Sequence, residues 1–253
     1  MPTREPPIIL EPITTSSDQN AALIFLHGLS DEAAGVSDIG AQIQSSSRLP
    51  YLKYVFPNAL ENRDMMTRAW YVQSRLAPKP VPRPELEDDE DEDGLLQSVA
   101  YVESLISKLA NEDSIPLHRI IIGGFSQGMA VTLLLSLISA KFAGKLGGML
   151  VVCGYLPLEK RISQLRADHG LIDGQTPGRT KICILRGKAD VLVPERYLII
   201  AKDRLAEAGY TETEENDRSA SLVIKEYEGV GHTITGRMIS DIATWLEQII
   251  PEK

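Results

Sequence analysis

Arg119-Ile120-Ile121-Ile122-Gly123-Gly124-Phe125-Ser126-Gln127-Gly128-Met129 opens as a run of β-branched residues and passes through a Gly-x-Ser-x-Gly pattern. It continues into Ala130-Val131-Thr132-Leu133-Leu134-Leu135, which can be helical. A serine at such a strand–turn–helix junction is held in a tight, strained turn, its hydroxyl projecting above the sheet edge. Glycines two before and two after it let the flanking backbones approach closely. The N–H of Gln127 then lies at the start of the new helix, directed at developing negative charge. The five-residue pattern alone is short enough to arise by chance. What separates a nucleophile from a chance serine is whether an acid and then a histidine follow, each at the end of a strand.

Both follow. Lys181-Ile182-Cys183-Ile184-Leu185-Arg186 reads as a strand and leads to Asp190. Leu222 to Tyr227 reads as the next and leads through Gly229-Val230-Gly231 to His232. The order Ser, Asp, His is that of an α/β-hydrolase. In this arrangement His232 accepts the serine proton and returns it to the leaving group, while Asp190 fixes the imidazole tautomer. The chain holds four histidines. His27 lies in an early turn, His118 precedes the Ser126 strand at the wrong edge, and His169, in an irregular stretch, is the one rival. Glu195 and Asp173 compete more weakly with Asp190. The tetrahedral oxyanion needs two donors: Gln127 N–H is one, and Leu29 N–H, after Leu26-His27-Gly28, is the simplest second.

Outward from these points, strands alternate with helices. Ile8 to Ile13 reads as an edge strand, Ala21 to Leu26 as a strand buried on both faces, and Leu52 to Phe56 and Gly147 to Cys153 as further strands. Helical patterns fall at 38–47, Leu95 to Leu109 and Glu195 to Ala208, with an amphipathic helix after His232. Residues 159–180 are polar and turn-rich, and 58–94 show no clear regular pattern. This order predicts a mainly parallel central sheet with helices on both faces, and a single domain over residues 1–253.

The chain's net charge of −9 is concentrated in one place. Glu85 to Asp93 holds eight of the 35 acids, and the remaining 27 nearly match the 26 lysines and arginines. No basic stripe is left for nucleic acid. Prolines precede this tract, and like charges repel, so residues 77–93 are expected to form a mobile surface loop. Cys153 and Cys183 sit in separate apolar runs and read as reduced core thiols. The histidines lack metal-ligand spacing, so neither a metal nor a cofactor is expected. With no secretory leader and no apolar run of spanning length, the expected location is cytoplasmic, with at most transient contact with a membrane surface.

The motifs Leu26-His27-Gly28-Leu29-Ser30-Asp31, Gly124 to Gly128, Arg186 to Pro194 and Tyr227 to His232, with Gly154 to Leu158 and Trp70-Tyr71, resemble the acyl-protein thioesterase and phospholipase/carboxylesterase family. The resemblance runs from about residue 20 to 250. It implies a compact hydrolase with a short mobile cover and no large lid domain, acting on thioesters or oxoesters of apolar acyl chains. By position it makes Ser126, Asp190 and His232 the triad and Leu29 and Gln127 the oxyanion donors. Family members usually carry Gly at the positions of Ser30 and Met129, His at that of Arg186, and Asp after the aromatic pair, where this chain has Val72-Gln73. The cover falls in residues 58–93, and Met65, Met66, Trp70, Leu76, Met129 and Leu192 are candidates for the acyl-binding surface. Expected partners are an acylated protein or a small acyl ester or thioester, with oligomeric state, including a homodimer, left open. Two other functions compete: a small-molecule esterase or transacylase in a biosynthetic pathway, and a non-catalytic binding protein on the same fold.

Overall fold

The computed structural model describes residues 4–14, 20–62, 67–72, 90–171, 180–212 and 221–252. Seven strands form one sheet: β1 (Ile8–Leu10), β2 (Ala21–Leu26), β3 (Leu52–Phe56), β6 (Ile120–Phe125), β7 (Gly148–Val152), β8 (Lys181–Gly187) and β9 (Leu222–Tyr227). Two more, β4 (Leu60–Asn62) and β5 (Thr67–Ala69), form a separate antiparallel pair. The spatial order of the large sheet is β1-β3-β2-β6-β7-β8-β9, and every pair is parallel except β1 against β3. The expected fold is the observed one, an α/β-hydrolase sheet.

The uninterrupted apolar strands are explained by what covers them. Along β2, Ala22, Ile24 and Leu26 join one hydrophobic core while Ala21, Leu23 and Phe25 join the other. Successive side chains point to opposite faces, so a strand covered on both sides must be apolar at every position. One core packs α2 (Glu92–Asn111), α3 (Gln127–Ile138), α4 (Ile162–Asp168) and α5 (Glu195–Glu207) on the sheet; the other packs α1 (Ala33–Ser45) and α6 (Gly236–Ile249). All twelve residues of α3 are buried, which accounts for its lack of a polar face.

Four expectations are corrected. The N-terminal strand ends at Leu10 and not at Ile13. The first helix begins five residues earlier than expected, at Ala33. Residues 162–168, expected to be irregular, form α4, with Ile162 and Leu165 buried against the α2–α5 side of the sheet. The end of the acidic tract is not loop: Asp91 caps α2 by accepting from Gly94 N at 2.9 Å, and Glu92 and Asp93 are its first turn. Acids at a helix N-terminus meet the positive end of its dipole, so repulsion within the tract is offset there. Residues 77–89 lie outside the described residues.

Candidate active site

Ser126 follows β6, Asp190 follows β8 and His232 follows β9, so parallel strands deliver all three to one edge of the sheet. Ser126 itself has φ 53° and ψ −115°, a conformation rarely adopted by residues with a side chain. The turn is closed on both sides. A methyl on Gly124 would run into the carbonyl of Gly128, and one on Gly128 into the carbonyls of Leu26 and His27. Only glycine fits either position. Ser126 N–H donates to Val152 O at 2.9 Å, and Ser126 O accepts from Ala130 N, so the strained residue is bonded on both sides.

His232 Nδ1 lies 2.7 Å from Asp190 Oδ2, and His232 Nε2 lies 2.9 Å from Ser126 Oγ. A carboxylate only accepts, so Nδ1 carries the proton and Nε2 is left to accept from the serine hydroxyl. Asp190 is almost fully enclosed, and its other oxygen accepts from Leu192 N and Val193 N, both at 2.9 Å. The two loops are tied to one another: Lys188 N donates to Tyr227 O and Ala189 N to Val230 O. The Phe125 ring packs against the imidazole at 4.9 Å. His169, the rival, bonds Ile138 O through Nδ1 at the end of α4, and Glu195 is the first residue of α5. Asp173 lies outside the described residues.

Gln127 is the first residue of α3, where an N–H has no partner within the helix. Leu29 follows Gly28, whose Cα faces the Ser126 and Phe125 side chains. His27 is wholly buried: Nδ1 donates to Gly28 O at 2.7 Å and Nε2 accepts from Ala59 N at 3.0 Å. Burial lowers its pKa and favours this neutral form. Both ring nitrogens are thus engaged by main-chain groups of Gly28 and Ala59.

The expected acyl-binding residues separate. Trp70 and Met129 are 3% and 2% exposed, part of the packed interior. The cavity that Met129 borders with Gly154, Arg186, Val193 and Pro194 has about 10 Å³, room for roughly one water. Leu192 is 45% exposed and its neighbour Val191 74%, both beside Asp190. Met65, Met66 and Leu76 lie outside the described residues. Val72, a departure from the family's usual Asp, is also exposed.

Three of the departures have identifiable local surroundings. Ser30 has φ 63°, a left-handed conformation that glycine adopts without cost. Arg186 forms a 2.6 Å ion pair with Glu226 on the neighbouring strand. Val72 N is held at 2.7 Å by Asp91, a carboxylate brought from the start of α2.

The phospholipase/carboxylesterase family profile matches residues 10–250. The chain belongs to that family. Acyl-protein thioesterase 1 of Yarrowia lipolytica is 31% identical over 98% of this chain and 100% of its own length. Acyl-protein thioesterase 1 of Mycosarcoma maydis is 30% identical over 91% and 92%. Among solved structures, Arabidopsis thaliana SOBER1 superposes with a TM-score of 0.71 at 26% identity, covering 91% of this chain and 99% of that one. Zea mays acyl-protein thioesterase 2 has the same TM-score at 20% identity, over 96% and 98%, a likeness of fold. As a phospholipase/carboxylesterase family member, the chain is a hydrolase.

Proposed function

We propose that this protein is a serine hydrolase that cleaves thioester or carboxylic ester bonds of apolar acyl groups through an acyl-Ser126 intermediate. The observation that carries the reading is the continuous Ser126–His232–Asp190 line at 2.9 and 2.7 Å. Ser126 Oγ attacks the carbonyl carbon as His232 Nε2 takes its proton. The carbonyl oxygen becomes an oxyanion received by the N–H groups of Leu29 and Gln127, and Asp190 stabilises the imidazolium. Collapse expels the thiolate or alkoxide, which takes the proton from His232. Water then repeats the steps and frees the acid.

The substrate reading is an acylated protein or a small acyl ester or thioester, the first supported by the acyl-protein thioesterases among its relatives. Exposed Val191 and Leu192 beside Asp190 offer the apolar surface for the acyl chain, in place of the small Met129 cavity. The small size of that one cavity is also compatible with the second reading, a small-molecule esterase or transacylase. No helix among the described residues is long and apolar enough to cross a membrane. The proposed setting is the cytoplasm, in keeping with two buried free thiols.

The test is chemical. A fluorophosphonate is expected to label Ser126 alone in the wild type, and Ser126→Ala to lose about 10⁶-fold in turnover. Labelling at another residue, or an active alanine variant, contradicts the mechanism. Long-chain acyl-thioester peptides assayed beside short aryl esters separate the two substrate readings; equal turnover favours the small-molecule one.

A further inference from the structure

Two N–H groups from distant parts of the chain must hold a fixed separation for both to reach one oxyanion. The Leu29 side belongs to the turn after β2, and the Gln127 side to the start of α3. Between them lies a segment with no assigned part in the reaction. Trp70 Nε1 donates to His27 O at 2.9 Å, on the Leu29 side. Trp70 N donates to the side-chain Oε1 of Gln127 at 2.8 Å, and that side chain returns Nε2 to Tyr71 O at 2.9 Å. Trp70 O in turn accepts from Ser98 Oγ on α2. The Arg4 guanidinium lies 5.5 Å from the centre of the indole, and the Tyr101 ring stacks on it at 6.4 Å. Every polar main-chain and side-chain atom of this tryptophan is therefore bonded, and its ring is enclosed.

We infer that Trp70 and the Gln127 side chain form a brace that sets the spacing of the two oxyanion donors, making Trp70 a positioning residue and not a wall of the acyl groove. A carboxamide at position 127 suits this and a carboxylate does not. It must accept from one main-chain N–H and donate to the next residue's carbonyl, two bonds of opposite sense within one side chain. Because Gln127 is 2% exposed, a lost bond there has no water to replace it. Reaction rates respond steeply to displacements of less than an ångström in such donors.

The inference rests on Ser126 being the nucleophile, and the experiment keeps the two apart. Trp70→Phe removes the bond to His27 O while keeping a ring. Gln127→Glu keeps the acceptor toward Trp70 N and removes the donor toward Tyr71 O. Trp245→Phe serves as the comparison: it changes the chain's second tryptophan, buried on α6 in the opposite core. Active sites are counted by exhaustive fluorophosphonate labelling, and kcat and KM are measured on para-nitrophenyl acetate. Inhibition by phenylboronic acid, whose serine adduct imitates the tetrahedral intermediate, reports on the oxyanion donors. Trp70→Phe and Gln127→Glu are each expected to lower kcat per labelled site about 10- to 100-fold, leave KM within twofold and weaken the boronate by a matching factor. Trp245→Phe leaves kcat per labelled site within twofold. Loss of folded protein alone lowers the number of sites and not the turnover of each. Should Trp70→Phe fail to fold, Gln127→Glu decides. An unchanged kcat per site in a folded brace variant, or a fall in kcat without weaker boronate binding, overturns the brace while the nucleophile stands. A wild type that neither labels nor turns over overturns both.

Discussion

The loops that carry Ser126, Asp190 and His232 and the described residues between Asn58 and Gly94 are joined at Gln127, next to the serine, but lean to different degrees on side-chain bonds. The catalytic loops are fixed main chain to main chain: Ser126 N to Val152 O, Lys188 N to Tyr227 O, Ala189 N to Val230 O. Such bonds survive most changes of side chain. The described residues of the other segment have main-chain bonds too, in the β4–β5 pair and from Ser30 N to Arg68 O, but lean more on side chains reaching across the chain. Gln127 bonds Trp70 and Tyr71, Asp91 bonds Val72, and Asn58 accepts from Ala33 N while donating to Pro6 O. One substitution can release or redirect any of these. On the proposed mechanism the triad thus rests mainly on main-chain bonds, and the neighbouring segment on bonds that a single substitution can remove.

The sharpest way to break this comparison is to alter the catalytic line without moving its backbone. His232→Ala is expected to lose about as much turnover as loss of the nucleophile, on the order of 10⁶-fold, because the two act as one unit. Asp190→Asn keeps the shape but lets the imidazole take the wrong tautomer, and about 10⁴-fold is expected. Both variants should keep the wild-type melting temperature to within a few degrees, measured beside kcat. An Asp190→Asn enzyme within tenfold of wild type would mean that the tautomer is set by something other than Asp190.

On the other side of the comparison, effects should be smaller and should depend on the substrate. Leu192→Ser removes one exposed apolar side chain, worth about 1 kcal/mol of contact when half covered by an acyl tail. Roughly a fivefold fall in kcat/KM is expected for a dodecanoyl ester, with less than twofold for an acetyl ester. An equal fall for both would place Leu192 in support of Asp190, through its N–H bond to Oδ1, and not on the acyl surface.

The same contrast explains what could be read from sequence. β2, β6, β7 and β8 were legible because burial on both faces forces apolar residues at every position, and the motifs sit where those runs end. β4 and β5 are three residues each and too short for any period to register. α4 was obscured because only Ile162, Leu165 and Arg166 of its seven residues are buried, and the arginine is satisfied by Leu137 O from α3. Trp70 was noticed as a candidate for the acyl surface, while its 3% exposure could not be read from its neighbours in sequence. Its burial depends on Arg4, 66 positions away in sequence, and on Tyr101 from α2. The placement of residues 90–93 was hidden for the same reason: Asp91 and Glu90 are bonded to Val72 and Leu158, which local charge repulsion does not reveal.

Glu90 offers the finest test of how the less regular region is held. Its Oε2 accepts from Leu158 N at 2.6 Å, while its Oε1 is buried without a hydrogen-bond partner among the described residues. Burial, with nearby Glu159 adding to it, pushes the carboxyl up to about 7, against the opposing pull of the Leu158 N–H. Between pH 4.5 and about 7 the unfolded chain has released this proton and the folded chain still holds it. The folded state therefore binds more protons across that window, and its stability falls as pH rises through it, levelling off above. The full shift corresponds to at most about 3 kcal/mol. Solvent reaching a side chain that is not fully enclosed reduces this to about 1 kcal/mol, or roughly 2–4 °C in Tm for a chain of this size. Glu90→Gln keeps an acceptor for Leu158 N and cannot ionise. Its Tm relative to wild type is thus expected to rise by that amount from pH 5 to pH 8, with turnover at pH 7.5 changed by less than twofold. A Tm difference that does not vary with pH would mean that water or a neighbouring donor already satisfies Oε1, so that Glu90 ionises in the folded chain as it does in the unfolded one.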